Sequence, residues 1–193
     1  MNLVLDLDGT LVDSYDQPIG GREYDLRISL HNGDIYVYKR PDVDKFIEYC
    51  FLVFGKVGIF TAAQRDYAYT VISECFGKYL KELVFILTQE DCHFDVDQTT
   101  NKVTIRKLLK RVWLDSRLNI FTPENTLFID DNQHVYLDNP NNVLLIAPFS
   151  CVDQNDNTLA HLMTFFNIYL DRISNPSILN NIYQDINKPF ADN

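Results

Sequence analysis

Residues 3–14 read LVLDLDGTLVDS, an apolar run that carries two carboxylates, Asp6 and Asp8, one residue apart. Side by side at the end of a buried strand, two carboxylates repel each other and lose hydration, so the arrangement costs stability. It becomes useful when one attacks an electrophile and the other moves a proton. Asp-Gly turn chemistry at a strand end is the plain alternative. Two further strand-like segments end in polar groups: KVGIF runs into Thr61, and TLFID delivers Asp130 and Asp131. In an open α/β sheet, ligands bind beyond the carboxyl ends of the strands, which is where these groups would meet. Acidic groups converging at one edge need a cation, and oxygen-only ligands suit Mg²⁺. Carboxylates, a hydroxyl and a divalent metal together describe a phosphoryl-transfer site, in which the metal offsets the charge of the phosphate.

The elements that must position these groups alternate between strand and helix. Residues 3–7 read as a buried parallel strand. YDLRISL and IYVYK flank HNGD, an Asn-Gly turn pattern that predicts a β-hairpin over about residues 24–39. RPDVDKFIEYCFLVF has Val43, Phe46, Ile47 and Cys50 at helical spacing behind Pro41. DYAYTVISECFGKYL reads as a second helix, LVFIL as a third strand, and residues 101–115 as a basic-faced helix. TLFID and NVLLIAPF supply two more strands, and LAHLMTFFNIYLDRI is an amphipathic closing helix. This order predicts an α/β fold, a parallel sheet flanked by helices, with a small β-hairpin insertion after the first strand. One domain is expected over residues 1–175, followed by an Asn-rich tail over 176–193.

Composition narrows the class. The chain has 193 residues, long enough for one self-sufficient core. Lys+Arg 17 against Asp+Glu 27 leaves a net charge of −10, which argues against a surface built to coat nucleic acid or an anionic membrane. Cys50, Cys75, Cys92 and Cys151 show no CxxC spacing, so neither a zinc site nor a disulfide framework is expected. The longest apolar stretch, CFLVFGKVGIF, is broken by Gly and Lys and is too short for a bilayer. A soluble intracellular protein is expected, with nucleus or cytoplasm unassigned.

LDLDGTLV resembles the first motif of the haloacid dehalogenase (HAD) superfamily of phosphotransferases. The whole order is similar to the phosphatases of the RNA polymerase II C-terminal domain (CTD), the small CTD phosphatase or NLI-interacting-factor-like group. The stretches that carry this are YVYKRPDVDKFIEY, GIFTAAQRDYAYTVI, EDCHF, IRKLLKRV, LFIDDN and NVLLIAPF. The resemblance implies a HAD-like Rossmannoid sheet and a Mg²⁺-dependent monoester hydrolase working through an aspartyl-phosphate. It implies Asp6 as nucleophile and metal ligand, and Asp8 as acid and base with its backbone carbonyl on the metal. Thr61 and Lys107 would bind the phosphoryl group, with Lys102 and Lys110 as competitors for the lysine's place. Asp131 would bind the metal with Asp130 beside it. The implied partner is a phosphoprotein or phosphopeptide, handled by a monomer.

Three departures bear on specificity. Gly9 stands where that group usually has Glu, Gln89 where an arginine is common, and Asp131 where the small CTD phosphatases have asparagine, although other branches have Asp-Asp. A small-molecule or nucleic-acid-end phosphatase of the same superfamily is one alternative, and a non-catalytic phosphopeptide-binding module another. The hairpin is too small to close over a metabolite, which favours a macromolecular substrate. Its residues Leu26, Ile28, Leu30, Tyr36 and Tyr38 are expected near the mouth of the site, where they could receive a proline beside the phosphate.

Overall fold

The computed structural model describes residues 1–31, 33–96, 98–99, 101–153 and 155–187. In chain order its strands are β1 (Asn2–Leu5), β2 (Val12–Tyr15), β3 (Leu26–Leu30), β4 (Gly33–Lys39) and β5 (Val57–Phe60). They continue with β6 (Ile86–Leu87), β7 (His93–Val96), β8 (Val103–Arg106), β9 (Thr126–Asp130) and β10 (Val143–Leu145). Its helices are α1 (Val43–Val53), α2 (Arg65–Phe76), α3 (Lys110–Trp113), α4 (Gln133–Asp138), α5 (Thr158–Tyr169) and α6 (Pro176–Asn187).

Five strands form a parallel sheet in the order β10-β9-β1-β5-β6. The two-residue alternation of a strand divides its side chains between two cores. Leu3, Leu5, Val57, Ile59, Leu127, Ile129 and Leu144 face one core, shared with α1, α2, α5 and α6. Val4, Phe60, Phe128 and Val143 face the other, where Val112 of α3 and Val135 of α4 pack. The α/β reading and the parallel sheet therefore hold, with β1 at the centre. Strand centrality matters for the site, because β5 and β9 flank β1 and all three point their carboxyl ends the same way.

Three elements differ from the sequence expectation. The hairpin β3–β4 forms, and β2 adds to it, making a three-stranded sheet in the order β2-β4-β3. Asn32 of its turn lies outside the described residues. The expected helix over 101–115 is instead β8 followed by the four residues of α3. Val103, Thr104 and Ile105 are β-branched and stiff at χ1, and they pair antiparallel with β7. The expected tail contains helix α6, whose Leu179 and Tyr183 are buried against the first core. Among the described residues no helix is long and apolar enough to cross a membrane.

Candidate active site

The carboxyl ends of β1, β5 and β9 bring the expected residues together. Asp6 follows β1, its N–H donating to the Ile129 carbonyl of the neighbouring strand at 3.1 Å. Oxygens of Asp6, Asp130 and Asp131 lie within 4.8 Å of one another. Lys107 Nζ lies 2.8 Å from Asp6 Oδ1 and 2.6 Å from Asp130 Oδ2. A cleft of about 300 Å³ is lined by Asp6, Asp8, Thr61, Ala62, Ala63, Lys107, Asp131 and Asn132. All six residues expected from the sequence are thus brought together, and Lys107, not Lys102 or Lys110, is the lysine that reaches the cleft.

Each position has a local cause. After β1 the chain turns so tightly that the N–H groups of Thr10, Leu11 and Val12 all donate to the Leu7 carbonyl. Gly9 takes φ 78°, in the left-handed region that glycine enters freely. A Cβ there would stand 2.5 Å from Asp131 Oδ2, so glycine lets the Asp131 carboxylate approach the turn. Thr10 donates its hydroxyl to Asp131 Oδ1 at 3.3 Å. Lys107 sits between β8 and α3, and its carbonyl accepts from the amide of Asn139 at 2.9 Å. The same Asn139 accepts the Leu109 N–H. Arg106, next door, pairs with both Asp138 and Asp95. Asp130 gives Oδ1 to the Asn132 N–H at 2.8 Å, which leaves Oδ2 for Lys107.

The electrostatics are strained in one direction. Burial pushes Asp8 up to about 6, its hydrogen bond from Tyr67 pulls it down, and the charge of Asp6 pushes it up. Burial and then Asp6 raise Asp130, while the Lys107 ammonium opposes the rise. Asp131 is raised for the same two reasons. Burial works against the charge on Lys107, but Asp6 and Asp130 outweigh it and hold the ammonium above its ordinary value. Four carboxylates thus share one ammonium. That surplus of oxygen ligands and negative charge fits a hard divalent cation.

Tyr67 lies on α2 and is only 6% exposed, as a core residue would be. Its hydroxyl, however, donates to Asp8 Oδ1 at 2.5 Å, and Ser14 donates to the same oxygen at 3.4 Å. Burial and the neighbouring Asp8 push the Tyr67 phenol upward. No periodicity could have revealed this bond, because a helix face supplies the ring and the hydroxyl only reaches beyond it. Beside Asp8 lies an apolar groove of about 440 Å³ bounded by Leu30, Ile35, Ala63 and Tyr67. Of the hairpin residues expected at the mouth, Leu30 lines this groove. Ile28 and Tyr38 are buried, Leu26 lines a separate cleft with Tyr69 and Thr70, and Tyr36 packs on Tyr24. Leu26 and Ile28 share the Leu30 face of β3 but lie farther along the strand, whereas alternation puts Tyr36 and Tyr38 on the face of β4 opposite Ile35.

Known proteins resemble this chain in sequence and in fold. The chain is 29% identical over 181 residues to the CTD phosphatase-like protein 355R of Invertebrate iridescent virus 6, covering 88% of this chain and 99% of that one. It is 27% identical over 168 residues to the human carboxy-terminal domain RNA polymerase II polypeptide A small phosphatase 1, covering 85% of this chain and 57% of the relative. It therefore spans nearly all of the viral relative and little more than half of the human one. The solved structure of Fcp1, an essential RNA polymerase II CTD phosphatase, superposes with a TM-score of 0.55 at 15% identity. That match covers 96% of this chain and 61% of Fcp1, and it shows the HAD-like fold. With residues 1–176 matching NLI interacting factor-like phosphatases, the chain belongs to that family.

Proposed function

We propose that this chain is a Mg²⁺-dependent phosphatase that works through an aspartyl-phosphate and acts on phosphoserine or phosphothreonine in proteins. One observation carries the reading: Asp6 lies at the end of the central strand, with Lys107 Nζ at 2.8 Å and two more carboxylates within reach. An oxygen of Asp6 attacks phosphorus, which splits one hard hydrolysis into two easier displacements. Asp8 gives a proton to the departing oxygen and later takes one from the attacking water. Lys107 and Thr61 hold phosphoryl oxygens, and Lys107 also steadies Asp6. Asp6, Asp131 and the Asp8 carbonyl would hold Mg²⁺, which when bound offsets the charge of the phosphate dianion.

The neighbouring groove supports this substrate class. An apolar wall next to Asp8 suits a side chain flanking the phosphoresidue, and a proline presents a rigid apolar ring at low entropic cost. The viral and human relatives bear CTD phosphatase names, which point the same way. The test is turnover of a phosphopeptide panel beside sugar phosphates and nucleotides, with and without Mg²⁺. A Ser-Pro phosphopeptide should give the highest kcat/KM, and its Pro→Ala version should lose about 1–3 kcal/mol of transition-state binding. Chelation and Asp6→Asn should each abolish turnover. Faster turnover of sugar phosphates or nucleotides than of every peptide would overturn the protein-substrate reading, and activity in Asp6→Asn would overturn the mechanism.

A further inference from the structure

We propose that Tyr67, aided by Ser14, is a positioning residue that fixes which oxygen of Asp8 carries the transferred proton. The inference rests on the phosphatase reading above. Tyr67 and Ser14 both donate to Asp8 Oδ1, at 2.5 and 3.4 Å. Among the described residues, these are the hydrogen bonds that the Asp8 carboxyl receives. A carboxylic acid whose Oδ1 is committed as an acceptor must carry its proton on Oδ2. Oδ2 is therefore the atom that would pass the proton to the departing group. Tyr67 is well placed to hold this arrangement, because its side chain is buried and borders the apolar groove beside Asp8.

An oxygen of Asp6 forms a bond to phosphorus as the bond from phosphorus to the leaving oxygen breaks. The electron pair stays on the leaving oxygen, which takes the proton from Asp8 Oδ2. Asp8 is left as a carboxylate, and its new charge is met by the two hydroxyl donors on Oδ1. Hydrogen bonds to an ion are about twice as strong as those to a neutral group, so both tighten as the charge appears. Such donors help most when charge develops in the transition state.

The contribution should depend on how much the leaving group needs a proton. A serine alkoxide is a poor leaving group and needs one, whereas 2,4-dinitrophenolate departs without help. kcat/KM is the measurement to use, because it reports steps up to the departure of the leaving group. Tyr67→Phe keeps the ring and removes the donor. It should lower kcat/KM for a phosphoserine peptide about 10-fold, and its loss on 2,4-dinitrophenyl phosphate should be several-fold smaller. Ser14→Ala should show the same ordering to a lesser degree, and it supplies the comparison if Tyr67→Phe fails to fold. Equal losses on both substrates in the folded variants would overturn the inference, since a packing role does not distinguish leaving groups. Wild-type protein that turns over neither substrate would instead overturn the phosphatase reading, and this inference with it.

Discussion

Asp131 and Gly9 depend on each other. The carboxylate of Asp131 lies against the turn after β1, where any Cβ on residue 9 would fall 2.5–2.8 Å from its three terminal atoms. A side chain at φ 78° also carries a left-handed penalty of about 1–2 kcal/mol. Gly9→Ala should therefore cost about that much stability and push Asp131 out of place. If Asp131 binds the metal, the Mg²⁺ concentration for half-maximal activity should rise about 10-fold or more, as when a ligand loses its orientation. An unchanged Mg²⁺ requirement would separate Asp131 from the metal. At this scale the sequence was informative where chemistry coincides with a strand end: Asp6, Asp8, Thr61, Asp130 and Asp131 could all be read that way. Lys107 could not, because no strand of the central sheet delivers it; its role came only from the family resemblance. Tyr67 and Asn139 were invisible for a related reason. Their contributions are side-chain hydrogen bonds between segments far apart in the chain, to Asp8 and to the backbone of Lys107 and Leu109.

Between elements, one ion pair does the joining. Arg40 follows β4, is 1% exposed, and meets Asp156 before α5 through two bonds, Nε to Oδ1 at 2.9 Å and Nη2 to Oδ2 at 2.7 Å. Its remaining donors reach the carbonyls of Gly9, Thr10 and Ala147. The guanidinium thus ties the turn after β1 to the three-stranded sheet and to the segment after β10. Removing one partner would strand a buried charge, at a cost of about 3–5 kcal/mol. Asp156→Ala should therefore lower stability by that amount in chemical denaturation; a loss under about 1 kcal/mol would show that water reaches Arg40. The pH dependence has a defined sign. Burial opposes ionisation of Asp156, but the hydrogen bond and charge of Arg40, with the hydrogen bonds from Thr158, together outweigh it and hold the carboxyl below its usual range. The stability from this pair is then fully present above about pH 4, the unfolded value, and is lost as pH falls through the lower folded value. Asp156→Ala should remove that part of the acid sensitivity. The alternation of strands and helices was legible because apolar periodicity is local. One misread segment was 101–115, where Lys102, Arg106, Lys107, Lys110 and Arg111 at helical spacing suggested a basic helix face while Val103 to Ile105 were pairing with β7.

For the molecule as a whole, the parallel sheet has two edges, and they are finished differently. At one edge β6 is only two residues long, which offers little backbone for another chain to pair with. At the other edge stands β10, and α6 packs against it. The contact is specific: Gln184 donates to the Leu145 carbonyl at 2.8 Å, and the Tyr183 ring meets Phe165 at 5.2 Å between centroids. Leu179 and Tyr183 are 0% and 7% exposed, so they belong to the core that Leu144 and Leu159 share. The family match ends at residue 176, where α6 begins, so this helix is a feature the resemblance gave no reason to expect. An Asn-rich composition hid it as well, since Ile178, Leu179, Ile182 and Tyr183 are its only sustained apolar spacing in the first two turns. Burying two large apolar side chains is worth about 3–6 kcal/mol, a large share of the ~5–15 kcal/mol that holds a domain folded. A chain ending at Asn175 should therefore unfold at a lower temperature, and with β10 uncovered it should aggregate on heating. Its turnover at low temperature should stay close to wild type, because α6 contributes no residue to the cleft at the ends of β1, β5 and β9. If truncation leaves the melting temperature unchanged, α6 is an ornament on the edge strand; if turnover falls while the fold persists, the edge and the cleft are coupled through β10 and β9.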